Sequence, residues 1–177
     1  MHRTRLVVMS LARVSVVLLL MMPTMASAQE ATESALKAAF IFNFVRFTEW
    51  PVELPASEPF VICVVGDAAI GDEIERVVKG RQVEGRDIVV LRAATAGPGR
   101  ACRVLYVTDV VASRAATLLV GLRDAPVLTI SDIDGFNKVG GIAQFFFESG
   151  RLRFSIHLES AQRAKLRISS KLLVLSR

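Results

Sequence analysis

Phe60 to Val65 is an unbroken apolar run, stopped at once by Gly66-Asp67. A strand with no polar face must be covered on both sides, as in a parallel sheet packed between helices. The next residues alternate as such a sheet requires. Ile70 to Lys79 has helical spacing and is closed by Gly80; Ile88 to Leu91 is a second strand after the polar stretch Arg81 to Asp87. Ala94 to Arg100, rich in Ala and Gly, reads as a loop. Arg103 to Val107 predicts a third strand, Val111 to Leu122 a helix, and Val127 to Ile130 a fourth strand ending at Ser131-Asp132. Upstream, Thr32 can cap a helix whose stripe is Leu36, Phe40, Phe44 and Phe47, widened by Ala39, Ile41 and Val45 and ended by Trp50-Pro51.

The C-terminal third changes character. Ile142 to Phe147 and Leu152 to Leu158 flank Glu148-Ser149-Gly150-Arg151, which reads as the turn of an antiparallel hairpin. In its second arm Leu152, Phe154, Ile156 and Leu158 alternate with Arg153, Ser155 and His157, one buried face against one polar face. Glu159 to Leu166 predicts a short helix, and Ile168 to Leu175 a last strand or helical turn. No repeat, low-complexity tract or interdomain linker interrupts the pattern. The expected fold is α/β: one domain, a mixed β-sheet flanked by helices, with a C-terminal antiparallel hairpin.

Residues 1–28 have a different logic. Arg3, Arg5 and Arg13 lead without any acid, Val14 to Met22 is apolar except for Ser15, and Pro23 ends the run. Ala26-Ser27-Ala28 then offers small residues of the kind a signal peptidase reads, so we expect an export signal at 1–28 and a mature domain at 29–177. A membrane anchor is the competing reading. Arg13 divides the apolar stretch, and the run after it falls short of the ~20 residues that a span needs. Losing three arginines takes the formal net charge from +5 to +2, and the remaining basic residues are interleaved with acids. The sequence pI of about 9.8 therefore carries little weight, and the electrostatic footprint of a nucleic-acid binder is missing.

Export makes the two cysteines informative. Cys63 and Cys102 both lie beyond the signal, where an oxidising compartment favours pairing. A regulatory thiol pair and a metal site are the alternatives. The spacing is not that of a redox CxxC, and the one histidine after residue 28, His157, leaves few soft ligands for zinc.

The search for catalytic chemistry is thin. Gly66-Asp67-Ala68-Ala69-Ile70-Gly71 follows a strand but lacks both the phosphate-loop ending and the dinucleotide spacing. Asp132 and Asp134 fall near the end of a predicted strand, where open α/β sheets place ligands, although Gly135 and Asn137 beside them suit an ordinary turn. His157 has no nucleophile motif with it. We therefore expect no enzyme, no cofactor and no metal.

One phrase is more specific. Lys37-Ala38-Ala39-Phe40-Ile41-Phe42-Asn43-Phe44-Val45-Arg46-Phe47-Thr48-Glu49-Trp50-Pro51 resembles the opening signature of the YfiR-like family of secreted bacterial regulators. The resemblance continues through Val61–Gly66, Cys102–Val107, Pro126–Asp132, Phe136, Gly140-Gly141-Ile142 and Phe145, and ends in Arg153–Leu158 and Leu166–Leu173. It implies a periplasmic protein that binds the periplasmic sensing domain of an inner-membrane diguanylate cyclase, so that less cyclic di-GMP is made and biofilm formation is restrained. It also implies a Cys63–Cys102 disulfide and a possible homodimer. Two departures stand out: this chain has no cysteine pair in its C-terminal half, and His157 occupies a position where the family pattern has Asn.

Two functions are expected in turn. A repressor of a membrane cyclase needs an exposed apolar patch, for which Phe42, Trp50, Pro51 and Phe146 are candidates because they fall off the main core stripes. A solute-binding sensory module acting on a sensor kinase or other signalling protein would instead hold a ligand at the carboxyl edge of the sheet. Gly66, Asp67, Asp132, Gly140 and His157 are the candidates for that site.

Overall fold

The computed structural model describes residues 25–51, 58–92 and 101–177, with side chains from Glu33 onward. The export signal expected at 1–28 lies outside them, save for the backbone of its last residues. The loop expected at 94–100 lies outside them altogether. The chain divides into two compact units, Met1–Thr32 and Glu33–Arg177, and the sheet with its packed helices belongs to the second.

Helix α1 (Met25–Arg46) begins before the start expected at Thr32. Ala26, Ala28, Gln29, Glu30 and Ala31 are all helix formers, so nothing there breaks the backbone. Most of the expected stripe faces the core: Ile41, Phe44 and Val45 are buried, and Phe40 and Phe47 pack against them. Ala38 and Phe42 are buried as well, whereas Leu36 is exposed. The last three turns of α1 are buried on most of their surface and keep one side open to solvent at Leu36, Asn43 and Arg46.

Then come β1 (Thr48–Glu49), β2 (Phe60–Val65), α2 (Ala68–Val78), β3 (Gln82–Val83), β4 (Arg86–Arg92) and β5 (Val104–Val107). They are followed by α3 (Ala112–Gly121), β6 (Leu128–Ser131), a 3₁₀ turn at Phe136–Val139, β7 (Ala143–Glu148), β8 (Arg151–Ile156), α4 (Leu158–Arg163), β9 (Arg167–Ile168) and α5 (Ser170–Leu173). Seven strands form one sheet in the order β3-β4-β2-β5-β6-β7-β8. The inner five run parallel; β3 and β8 add antiparallel edges through hairpins. The α/β expectation and the C-terminal hairpin are both met. Its Ser149-Gly150 turn has positive φ at both positions, which suits the right-handed twist of the arms. The polar stretch at 81–87 is a second such hairpin, turned by Glu84-Gly85 with φ of 52° and 76°. In the predicted strand 152–158 the alternation stops at Ile156, and Leu158 starts α4 exposed.

The fully apolar strands sort themselves by parity. Phe60, Ile62 and Val64 join Val104, Tyr106, Leu128, Ile130 and Phe145 under α1 and α2. Cys63, Val65, Leu105 and Val107 face α3 and Phe136 on the other side. Two residue pairs, Thr48–Ile168 and Glu49–Arg167, make β1 and β9 a small separate antiparallel sheet.

Candidate functional site

The chain goes from β2 outward to β4, then returns to lay β5 on the other side of β2. Ligands in open α/β sheets settle outside the carboxyl ends of strands at such a reversal. Here that point is closed. Gly66 ends β2 with φ +113°, and a Cβ there would fall 1.7 Å from the carbonyl oxygen of Thr108. The Thr108 amide donates to the Val65 carbonyl at 2.9 Å, which locks the two strand ends together. Asp67 is turned to α2, where its carboxylate accepts the Ala69 amide at 2.8 Å as an N-cap. Gly66 and Asp67, expected as ligand residues, therefore build the turn.

The open space lies one strand further on. Thr108 and Asp132 directly follow β5 and β6, and the Thr108 hydroxyl donates to Asp132 Oδ2 at 3.1 Å. Lys37 reaches the same oxygen from α1 at 2.7 Å and pairs with Glu33 one turn back along the helix. Burial alone would lower the Lys37 pKa; the bonds to Asp132 and Glu33 outweigh it and hold the ammonium above its usual value. Beside this pair is a crevice of about 260 Å³ lined by Glu33, Lys37, Asp132, Asp134, Phe145–Phe147 and Leu152. A shallow groove along Thr108–Val111 and Ile133 meets it at Asp132. Tyr106 is completely buried on β5, and its hydroxyl interacts with Asp132 and Thr108. Burial first, and then the Asp132 carboxylate, push its pKa far up.

Gly140 is not part of this site. The segment 132–142 crosses from the carboxyl end of β6 to the amino end of β7, because parallel neighbours must start at the same edge. Gly140 (φ +104°) thus stands at the opposite edge from Asp132, in a small cavity with Thr129, Ser160 and Arg163. His157 is on that side too. Its Nδ1 lies 2.8 Å from Ser160 Oγ and its Nε2 2.9 Å from Glu159, contacts within a single helix start. The five residues expected to form one ligand site fall in separate places, and only Asp132 lines the crevice.

The apolar candidates also divide. Phe42 is buried, with the Arg81 guanidinium 4.6 Å above its ring, so it is core and not surface. Trp50 is half-buried, edge-on to Phe60 at 5.0 Å, and its indole donates to the Arg103 carbonyl. Pro51 is exposed, and Phe146 is half-buried in the crevice wall. Cys63 and Cys102 form a disulfide inside the second core, with Cα atoms 5.8 Å apart. Lys37, Thr108 and Tyr106 were not anticipated from sequence. A lone tyrosine in an apolar strand is a usable signal, since its hydroxyl needs an acceptor wherever it is buried.

The model of the YfiR/HmsC-like family matches residues 34–177, nearly the whole of the second compact unit. The chain belongs to the YfiR/HmsC-like family. That family is one of periplasmic regulators rather than catalysts. No helix among the described residues is long and apolar enough to cross a membrane. The YfiR/HmsC-like fold is similar to the crystal structure of a conserved domain protein from Vibrio cholerae O1 biovar El Tor strain N16961, with a TM-score of 0.51 and 14% identity over 81% of this chain. The chain spans 58% of that protein, and the likeness concerns the fold alone.

Proposed function

We propose that this YfiR/HmsC-like protein is exported, acts in the periplasm, and represses a diguanylate cyclase of the inner membrane by binding its periplasmic sensing domain. Cyclic di-GMP and biofilm formation fall while the complex holds. The observation that carries this reading is the family match across residues 34–177, in a family of periplasmic regulators. The surface supports a docking role: Pro51, Phe147 and Val174 are exposed, and Phe146 is half-exposed. Phe42, being core, takes no part in that contact. The export signal over 1–28, and a dimer of mature chains, belong to the same proposal.

The test is capture of the tagged protein from solubilised membranes, with cyclic di-GMP measured in cells that carry or lack its gene. Recovery of a membrane cyclase, with cyclic di-GMP higher in the deletion, supports the reading. Capture of no inner-membrane signalling protein, with cyclic di-GMP unchanged, sinks it.

A further inference from the structure

We propose that the cavity at the amino edge of β6, between the end of α3 and α4, binds a short-chain organic carboxylate. Its charged end sits between Arg123 and Arg163, and its hydrocarbon tail lies on an apolar floor. The cavity has a volume of about 70 Å³. Leu119, Leu122, Val127 and Ile142 form the floor, and all four are buried. Val120 and Val139 stand at the rim, 66% and 45% exposed.

Two guanidinium groups give the cavity its sign. Arg76, Arg86, Arg92, Arg153, Arg167 and Arg177 each face a carboxylate of this chain. Arg123, just after α3, and Arg163, at the end of α4, both line the cavity, and neither forms an ion pair among the described residues. Asp124, the one acid in the wall, is exposed and pairs with neither. An incoming carboxylate thus meets two planar forks of N–H donors, the groups best matched to its own geometry.

The manner in which Arg163 is held is the independent observation. Ser160 is only 4% exposed and lines the same cavity, and Arg163 Nη2 donates to its Oγ at 2.8 Å. The Ser160 proton points the other way. Glu159 takes the Nε2 side of His157 at 2.9 Å, which leaves Nδ1 to accept from the serine at 2.8 Å. Three side chains in a row thereby fix one guanidinium that no acid of this chain neutralises. Anchored by a neutral hydroxyl, Arg163 keeps its full charge and its other N–H donors for an external anion.

The floor decides between anions. Inorganic phosphate would leave the four apolar side chains facing water, whereas a short alkyl tail covers them.

NMR titration of the isotope-labelled protein tests this. Butyrate should move the amide signals of Gly140, Ser160 and Ala164, which line the cavity, in a saturable way. Butylamine, with the same body and the opposite charge, should leave them in place, and inorganic phosphate should bind more weakly than butyrate. R123Q should weaken butyrate binding by about tenfold, which is about 1.4 kcal/mol. The melting temperature of the unliganded protein should not change, because Arg123 is exposed. S160A should weaken binding too, since Arg163 loses its anchor. R151Q, at the exposed first residue of β8, should leave it unchanged. No saturable shift with butyrate, phosphate binding as tightly as butyrate, undiminished binding in R123Q, or an equal loss in R151Q would each overturn the proposal. No cyclase enters this assay, so its failure leaves the repressor reading untouched and the converse also holds.

Discussion

Lys37 and Asp132 are 95 positions apart in the chain and meet at 2.7 Å where α1 crosses the carboxyl end of β6. Both side chains are mostly buried, at 14% and 19% exposure. Each therefore needs the other: a charge left alone in such a place loses hydration without compensation.

Removing one partner should cost more than removing both. K37M takes the ion-pair partner from Asp132 and should destabilise by about 1–3 kcal/mol. The double variant K37M/D132L should recover part of that loss. Urea unfolding of the two single variants and the double variant measures the coupling, and strict additivity would contradict the pairing.

The disulfide closes a loop with a sequence separation of 39. In the chain-entropy model a closure of that length stabilises by about 4 kcal/mol. C63S or C102S should lose most of this and expose one titratable thiol on denaturation. The native protein should show none.

Gly66 has no substitute. An alanine Cβ would collide with the Thr108 carbonyl, and φ +113° is itself unfavourable for any side chain. G66A should lose at least ~2 kcal/mol, read as a drop in denaturation midpoint. A near-native midpoint would mean that the β2 and β5 ends are not locked as described.

Alkaline pH should unfold the protein before it ionises Tyr106. The folded tyrosine pKa is raised by burial, while the unfolded chain ionises near pH 10.0. Stability from this group is thus complete below about pH 10 and is lost above it, because only the unfolded state gains from releasing the proton. Lys37, also raised, acts in the same direction: its contribution is present below the unfolded lysine pKa and disappears as pH rises through the folded value. Tyrosinate absorbance and far-ultraviolet circular dichroism should therefore change together. Tyrosinate appearing while the dichroism remains native would refute the burial of Tyr106.

Phe42 and Phe147 should separate core from surface. F42A empties a buried site and should cost about 3–5 kcal/mol, whereas F147A should cost under ~1 kcal/mol. Thermal melts of the two variants distinguish them directly.

Much of the sheet was legible because Phe60–Val65, Val104–Val107 and Val127–Ile130 are short, mostly apolar runs set among helical stretches, and because Ser149-Gly150 announces its turn. Phe42 was misplaced because a helix that is apolar on nearly all sides gives no single stripe from which to judge what lies off it. Gly140 was grouped with Asp132 because they are near in sequence, yet the return crossing between parallel strands puts them at opposite edges. The β1–β9 pairing was invisible, since two-residue strands carry no periodicity.

Local spacing and composition were enough to establish the alternation of strands and helices and the C-terminal hairpin, while the sequence blocks from Lys37–Pro51 onward carried the family resemblance. Which polar groups meet is a matter of the folded chain. Glu33 and Lys37 lie one turn apart on a helix and were within reach of pattern reading. Asp132, Thr108 and Tyr106 join them only because β5 and β6 end side by side beneath α1, a consequence of strand order that no local spacing encodes.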